Sequence, residues 1–202
     1  VTSFENICGH QPIVSLLDSM LQNQKEMLGH IILYGPSGTG KTSLMNCIIE
    51  FVFGAANFGV DCTKNNRYVL RSNASNERCF DDVENKLLKF VMCRNEECEK
   101  RGIKRIVALD EVDSTTPDAQ SALQCILSQY RDKVCFVMTC NDISSNVIRP
   151  LQSECMALHV DQVCANDMAM MVLRVADKEN VKCTEAGVNS LLLAANGDVR
   201  KM

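Results

Sequence analysis

Apolar positions along the chain follow two patterns. From Gln11 to Leu28, Ile13, Leu16, Leu17, Met20 and Leu21 share one helical stripe, and Gly29 follows where a C-cap glycine belongs. Four short apolar runs without alternation then read as strands buried on both faces. They are Ile31–Tyr34, Tyr68–Arg71, Arg105–Leu109 and Val134–Cys140, and Leu158–Val160 is a fifth candidate. Between them the spacing predicts helices from Lys41 to Phe53, from a turn at Asn73–Arg78 to about Cys93, and from Thr116 to Tyr130. Thr116 is the expected N-cap of the last of these, with Pro117 at its first position. A short helix is expected to start near Ser144 or Ser145, whereas 54–67 reads as loop and the charged stretch Arg94–Lys104 as solvated. Strands alternating with helices imply a parallel sheet with helices packed on it, over roughly residues 1–160. Past Val160 the strand pattern stops. Asn166-Asp167 is expected to cap a helix to about Asn180, and Thr184 another to Ala195, ended by Gly197. Residues 161–202 thus read as the start of a small all-helical domain.

Composition narrows the class. The 202 residues are 46% hydrophobic and 23% charged, enough apolar material for a sizeable core. A formal charge of -4 does not advertise a nucleic-acid binder, so any DNA contact has to come from a local patch or from partner subunits. No apolar run reaches the roughly 20 residues of a membrane helix, and no partner membrane is expected. The 12 Cys include no C-x-x-C pair, so no zinc site is expected; Cys47, Cys125 and Cys135 sit in apolar runs as small hydrophobes, which suits a reducing setting. The Met168, Met170, Met171 stretch reads as adaptable core. The chain begins at Val1 rather than Met and stops two residues past Arg200, so it is expected to be part of a longer polypeptide.

The chemistry is carried by a few short motifs. Gly35-Pro36-Ser37-Gly38-Thr39-Gly40-Lys41-Thr42 matches G-x-x-x-x-G-K-[ST] and lies between a buried strand and a helix. Backbone N–H groups of such a loop wrap phosphate oxygens at the positive end of the helix. Lys41 would reach the β- and γ-phosphates of ATP, and the Thr42 hydroxyl would coordinate Mg²⁺. The strand Arg105–Leu109 delivers Asp110 and Glu111 to its carboxyl end, the edge where ligands bind in open α/β sheets. Asp110 suits the metal, and Glu111 suits orienting or activating a water. Asn141 ends another buried strand, where its amide would bond the water or a phosphate oxygen, or would simply close a turn. Arg200 follows Gly197-Asp198-Val199, as a phosphate ligand swung over the cleft or as an ordinary surface residue.

Taken together, the chain resembles the small subunits of the eukaryotic replication factor C clamp loader, in the AAA+ ATPase class. The resemblance runs from Phe4 to Arg200. Phe4-Glu5-Asn6-Ile7-Cys8-Gly9-His10 is similar to the segment after the family's N-terminal box, and Ile7 and Cys8 would flank the adenine. Leu70-Arg71-Ser72-Asn73-Ala74-Ser75-Asn76-Glu77-Arg78 resembles the family's L-x-x-N-A-S-N/D-D/E-R signature, which makes Arg78 a candidate DNA contact. Leu109-Asp110-Glu111-Val112-Asp113-Ser114 resembles L-D-E-A-D-S. Asn141 and Arg200 match the sensor-1 and sensor-2 positions. The resemblance implies a P-loop AAA+ sandwich with a helical lid, ATP and Mg²⁺ as cofactors, and a nuclear hetero-pentamer. With its related subunits the chain would open a sliding clamp and close it on primer–template DNA, in replication and repair.

The sequence departs from that pattern at identifiable places. The family's S-R-C, whose Arg serves the neighbouring subunit's ATP, is Ser153-Glu154-Cys155; its A-L-R-R is Ala122-Leu123-Gln124-Cys125. Arg149 stands where the family has Glu. Two functions remain open on these residues: an ATPase subunit of the loader, favoured by Lys41, Asp110 and Glu111, or a nucleotide-binding scaffold subunit, favoured by Glu154. A different AAA+ loader or repair ATPase is a third reading.

Overall fold

The computed structural model of the chain describes residues 7, 9–23, 29–54, 61–73, 80–144 and 149–202. The elements in chain order are α1 (Gln11–Asn23), β1 (His30–Tyr34), α2 (Lys41–Phe53), β2 (Val69–Asn73), α3 (Phe80–Met92), α4 (Glu96–Arg101) and β3 (Arg105–Asp110). They continue with α5 (Pro117–Gln129), β4 (Val134–Cys140), α6 (Arg149–Gln152), β5 (Cys155–His159), α7 (Ala165–Lys178) and α8 (Glu185–Ala195). Two single 3-10 turns, Val112–Ser114 and Val199–Lys201, follow β3 and α8.

The five strands form one parallel sheet in the order β2-β3-β4-β1-β5. Alternation along each strand sorts side chains onto two faces. Ile31, Leu33, Ile106, Ala108, Cys135 and Val137 point to one side, where Leu17 and Leu21 of α1 and Leu44, Ile48 and Phe53 of α2 cover them. Ile32, Val107, Leu109, Phe136 and Met138 point to the other, against Leu87 and Val91 of α3 and Leu123 and Leu127 of α5. Fully burying one such side chain stabilises the fold by about 1.5–3 kcal/mol, so both layers are needed. The helices that follow the sheet gather Val163, Met168 and Ala195 into a third small cluster, with Leu192 and Val199 against it.

Helix caps fall close to the expected places. Thr116 accepts from Ala119 N, with Pro117 at the helix start, and Thr184 accepts from Gly187 N. The charged stretch 94–104 is the main surprise, since it contains α4. The Asn95 side chain accepts from Glu97 N and Cys98 N, Gly102 closes the helix at φ 65°, and acids open while bases close its single long turn. Six residues are too few to show a period, and only Cys98 among them is buried. Helix α7 is capped by Cys164 Sγ, which accepts from Asp167 N, rather than by Asn166 or Asp167. Asn196, at φ 45°, takes the left-handed C-cap position expected of Gly197.

Two composition-based expectations are corrected. Cys125 is exposed, because it lies on the outer face of α5. Of the methionines on α7 only Met168 enters the core, while Met170 is 60% exposed. The expected end of the first helix at Leu28, the alternative start of the short helix at Ser145, and the signature residues 74–79 with Arg78 fall outside the described residues, whereas Ser144, the other expected start, is described and not helical. Among the described residues no helix is long and apolar enough to cross a membrane.

Candidate functional site at the carboxyl edge of the sheet

The carboxyl ends of β1, β3 and β4 converge because β4 lies between the other two. The loop after β1 leaves the sheet through Gly35, at φ 148°, whose position would bring a Cβ within 2.1 Å of Val160 O. The crossing is held by Gly35 N donating to Cys140 O (3.3 Å) and Val160 N to Tyr34 O (2.7 Å). Gly38 and Gly40, at φ 75° and 96°, turn the loop into the start of α2. The Thr39 hydroxyl donates to Pro36 O (3.0 Å), and Thr39 O accepts from His10 Nε2 (2.8 Å), which ties the N-terminal segment to the loop.

Lys41 is folded back beneath this loop. Its Nζ donates to Gly35 O (2.7 Å), Pro36 O (2.7 Å) and Asn141 Oδ1 (3.0 Å). Burial pushes the ammonium below its ordinary pKa. Thr42 Oγ1 donates to both Asp110 oxygens, at 3.2 and 3.0 Å. Glu111 follows at φ 57° and ψ 48°, a left-handed conformation, and its N–H donates to Thr139 Oγ1 (3.1 Å). Thr139 Oγ1 donates in turn to Asp110. Asn141 N donates to Asp113 Oδ2 (2.9 Å). From the other side Val199 N donates to Gly38 O (3.2 Å), and Asp198 accepts from the N–H of Arg200 (3.0 Å) and lies 3.5 Å from its Nε.

These groups enclose one cavity of about 220 Å³, lined by Ser37, Gly38, Gly40, Lys41, Thr42, Asp110, Glu111, Asn141 and Arg200. Asn141 is therefore bonded to the loop lysine and not merely a turn residue. Ile7 packs at the edge of the core that carries α1 and α2, and Cys8 lies outside the described residues. Thr139, Asp113, Asp198 and His10 were not singled out from the sequence. Thr139 had one visible signal, a hydroxyl near the end of the otherwise apolar run VCFVMTC.

A loop of backbone donors with a lysine behind it fits a polyphosphate. Thr42 and Asp110 are oxygen donors at hydrogen-bond distance, which fits a hard cation such as Mg²⁺. Among the described residues no group of three or more His, Cys, Asp or Glu side chains could hold a metal ion unaided. A Mg²⁺ held there would complete its shell with phosphate and water, as is usual for this ion. Glu154 lies far from this edge: it precedes β5 at the sheet's amino end, half-buried, with its N–H on Leu151 O (3.2 Å).

Residues 31–161 match the model of the "ATPase family associated with various cellular activities (AAA)". The replication factor C small subunit of Haloarcula marismortui is 33% identical over 199 residues, 98% of this chain and 57% of that protein. Replication factor C subunit 5 of Mus musculus is 32% identical, over 97% of this chain and 54% of that protein. The chain thus spans little more than half the length of the curated relatives it matches. A solved structure of Thermotoga maritima RuvB, a Holliday junction branch migration motor, superposes over 100% of this chain and 61% of its own with a TM-score of 0.72 at 16% identity, a likeness of fold. The chain belongs to the AAA family of ATPases, and within that family its sequence is similar to replication factor C small subunits.

Proposed function

We propose that the chain binds and hydrolyses ATP as a subunit of a DNA sliding-clamp loader. The observation that carries this reading is the convergence of Lys41, the Thr42–Asp110 pair, Glu111, Asn141 and Arg200 on one cavity at the sheet's carboxyl edge. Gly35–Thr42 cradle the phosphates, Lys41 binds the β- and γ-phosphates, and Glu111 orients and activates the attacking water. Asn141 bonds that water or a γ-phosphate oxygen. Arg200 reaches phosphate from residues 161–202, which we assign as the start of a lid on the ATPase domain of residues 1–160. Mg²⁺ held by Thr42 and Asp110 would neutralise charge on the β- and γ-phosphates. Ile7 and Cys8 flank the adenine, and Arg78 is a DNA contact. Related subunits in a hetero-pentamer, a sliding clamp and primer–template DNA are the proposed partners, with the nucleus as the proposed site of action on the strength of the eukaryotic relatives.

The test is Glu111→Gln in the full-length protein within its assembly. The amide keeps size and hydrogen bonding but cannot act as a base. ATP·Mg²⁺ should bind as before, and turnover at this site should fall about 10²–10⁴-fold. Undiminished turnover overturns the assignment.

For the neighbouring subunit the chain supplies Glu154 at the finger position. An Arg finger is worth about 10³–10⁵ in rate, and a carboxylate beside phosphate would repel. The neighbouring site is accordingly inactive, and Glu154→Arg should raise its turnover. Full turnover with Glu154 in place, lost on Arg149→Ala, would transfer the role to Arg149.

A further inference from the structure

Thr139 sits one residue from the end of β4 and is 1% exposed. Strands β3 and β4 run in parallel register with Leu109 beside Met138, so Asp110 and Thr139 are the next residues of each strand. The Thr139 hydroxyl uses both of its capacities on the two acids. It donates to Asp110 Oδ1 and accepts the Glu111 N–H at 3.1 Å. Asp110 is held on its other side by the Thr42 hydroxyl, at 3.0 and 3.2 Å. Glu111 occupies φ 57°, ψ 48°, a region uncommon for a residue with a Cβ, and its amide is anchored on this hydroxyl. Chains of hydrogen bonds that include a charged group are the strong ones, and they pass displacement from one member to the next.

We propose that Thr139 is a positioning residue for the hydrolytic reaction, its single hydroxyl locking the Asp110 carboxylate to the Glu111 backbone so that the metal-facing acid and the water-facing acid move as one unit. The proposal rests on the ATPase reading above. It assigns Thr139 no contact with substrate. The hydroxyl acts through Asp110 toward the metal and through the Glu111 backbone toward the water. A β-branched residue suits the buried strand, but only a hydroxyl can serve both acids.

Two substitutions in the full-length protein separate the hydroxyl from the shape. Thr139→Val keeps the volume and removes both hydrogen bonds; Thr139→Ser keeps both bonds and removes a methyl group. ATP affinity is measured with excess chelator and again with Mg²⁺, and turnover is measured in the assembly. The valine variant should keep its chelator-condition affinity within about twofold. Its Mg²⁺-dependent gain in affinity should shrink about tenfold, and its kcat should fall about tenfold to a hundredfold with little change in KM. The serine variant should recover most of each quantity. A valine variant with the parental Mg²⁺ gain and turnover overturns the proposal. So does a loss of chelator-condition affinity as large as the loss with Mg²⁺, and so does a serine variant as impaired as valine. A parent protein whose ATP affinity is indifferent to Mg²⁺ would instead sink the ATPase reading itself.

Discussion

The two ends of the same parallel strands both bury polar groups, yet they use them differently. At the amino end, Arg105 is 6% exposed, lies 4.5 Å above the Phe90 ring and donates to the carbonyls of Val91 and Cys93. Two strands away, His30 at the start of β1 is 2% exposed, with Nε2–H on Leu127 O (3.1 Å) and Nδ1 accepting from Phe136 N (3.1 Å). Each group there answers backbone groups of its own packing layer; Arg105 also borders an open cavity of about 790 Å³ shared with Lys86, Lys89, Cys93 and Glu97, but its described hydrogen bonds go to carbonyls. At the carboxyl end, side chains from α2, β3, β4 and Asn141 just after β4 partner one another around open space. Burial and charge are common to both ends. What distinguishes the site is that its buried lysine, acids and hydroxyls hydrogen-bond one another around the cavity, whereas Arg105 and His30 bond to backbone groups.

Lys41→Ala should give the largest effect and bears on the carboxyl end alone. The variant removes the cation behind the phosphate loop and the partner of Asn141. ATP affinity should drop at least about 100-fold, the scale of one or two hydrogen bonds to a charged group. Titration with a fluorescent nucleotide checks it, and unchanged affinity would remove the basis for the site.

Arg105→Ala is the matched test at the amino end. The variant leaves two carbonyls without their donor and opens space under Phe90. Stability should fall by about 2–4 kcal/mol, read from urea unfolding, while ATP affinity under folded conditions stays within about twofold. A large loss of affinity with little loss of stability would erase the contrast between the two ends.

Gly35→Ala asks whether the carboxyl end also carries stability. A Cβ there would stand 2.1 Å from Val160 O, a backbone atom that cannot swing away. The junction of β1 and β5 must then shift, at a cost of about 1–3 kcal/mol. Gly38 differs, because a Cβ there would meet only the Asp198 carboxylate, the end of a side chain rather than backbone. Equal denaturation midpoints for Gly35→Ala and the parent would show that the loop is decoupled from the sheet.

Much of the carboxyl end was legible in the sequence because its motifs follow apolar strands. The run IVALDE states both the strand and the edge at which its acids stand, and GPSGTGKT between a strand and a helix has few other readings. The amino end was hardly legible. Arg105 reads only as a charge opening an apolar strand, and His30 only as the residue before the run Ile31–Tyr34, because their partners are carbonyls, a backbone N–H and a ring brought together only by packing. The partners of Thr139 and Asp113 were not legible for a related reason: the Thr139–Asp110 bond exists only across the register of β3 and β4, and the Asp113–Asn141 bond only where the turn after β3 meets the end of β4. Helix α4 was missed because two capping residues, not a period, define it.

The smallest effect is a pH dependence, and it tests the amino end. Burial holds the His30 pKa below its ordinary value near 6.5, with Lys104 and Arg131 adding to the depression and the Leu127 carbonyl and Glu154 opposing it. The ring is needed neutral, since Nδ1 must keep a lone pair for Phe136 N–H. Above about pH 6.5 folded and unfolded chains both carry a neutral ring, and the contribution is fully present. As pH falls below that value the unfolded chain takes up a proton that the folded chain refuses, so stability declines, by at most about 1.4 kcal/mol per pH unit and only down to the folded-state pKa. His30→Gln offers the same donor and acceptor without a titration. Its stability should be lower by a roughly constant amount at pH 7 and above, and its decline from pH 6.5 to 5.5 should be shallower than the parent's. ATP affinity, set at the other end of the strands, should show no difference in pH profile between the two proteins. Parallel stability profiles would mean that His30 protonates as readily in the fold as outside it, and that the amino end is more open to water than its packing implies.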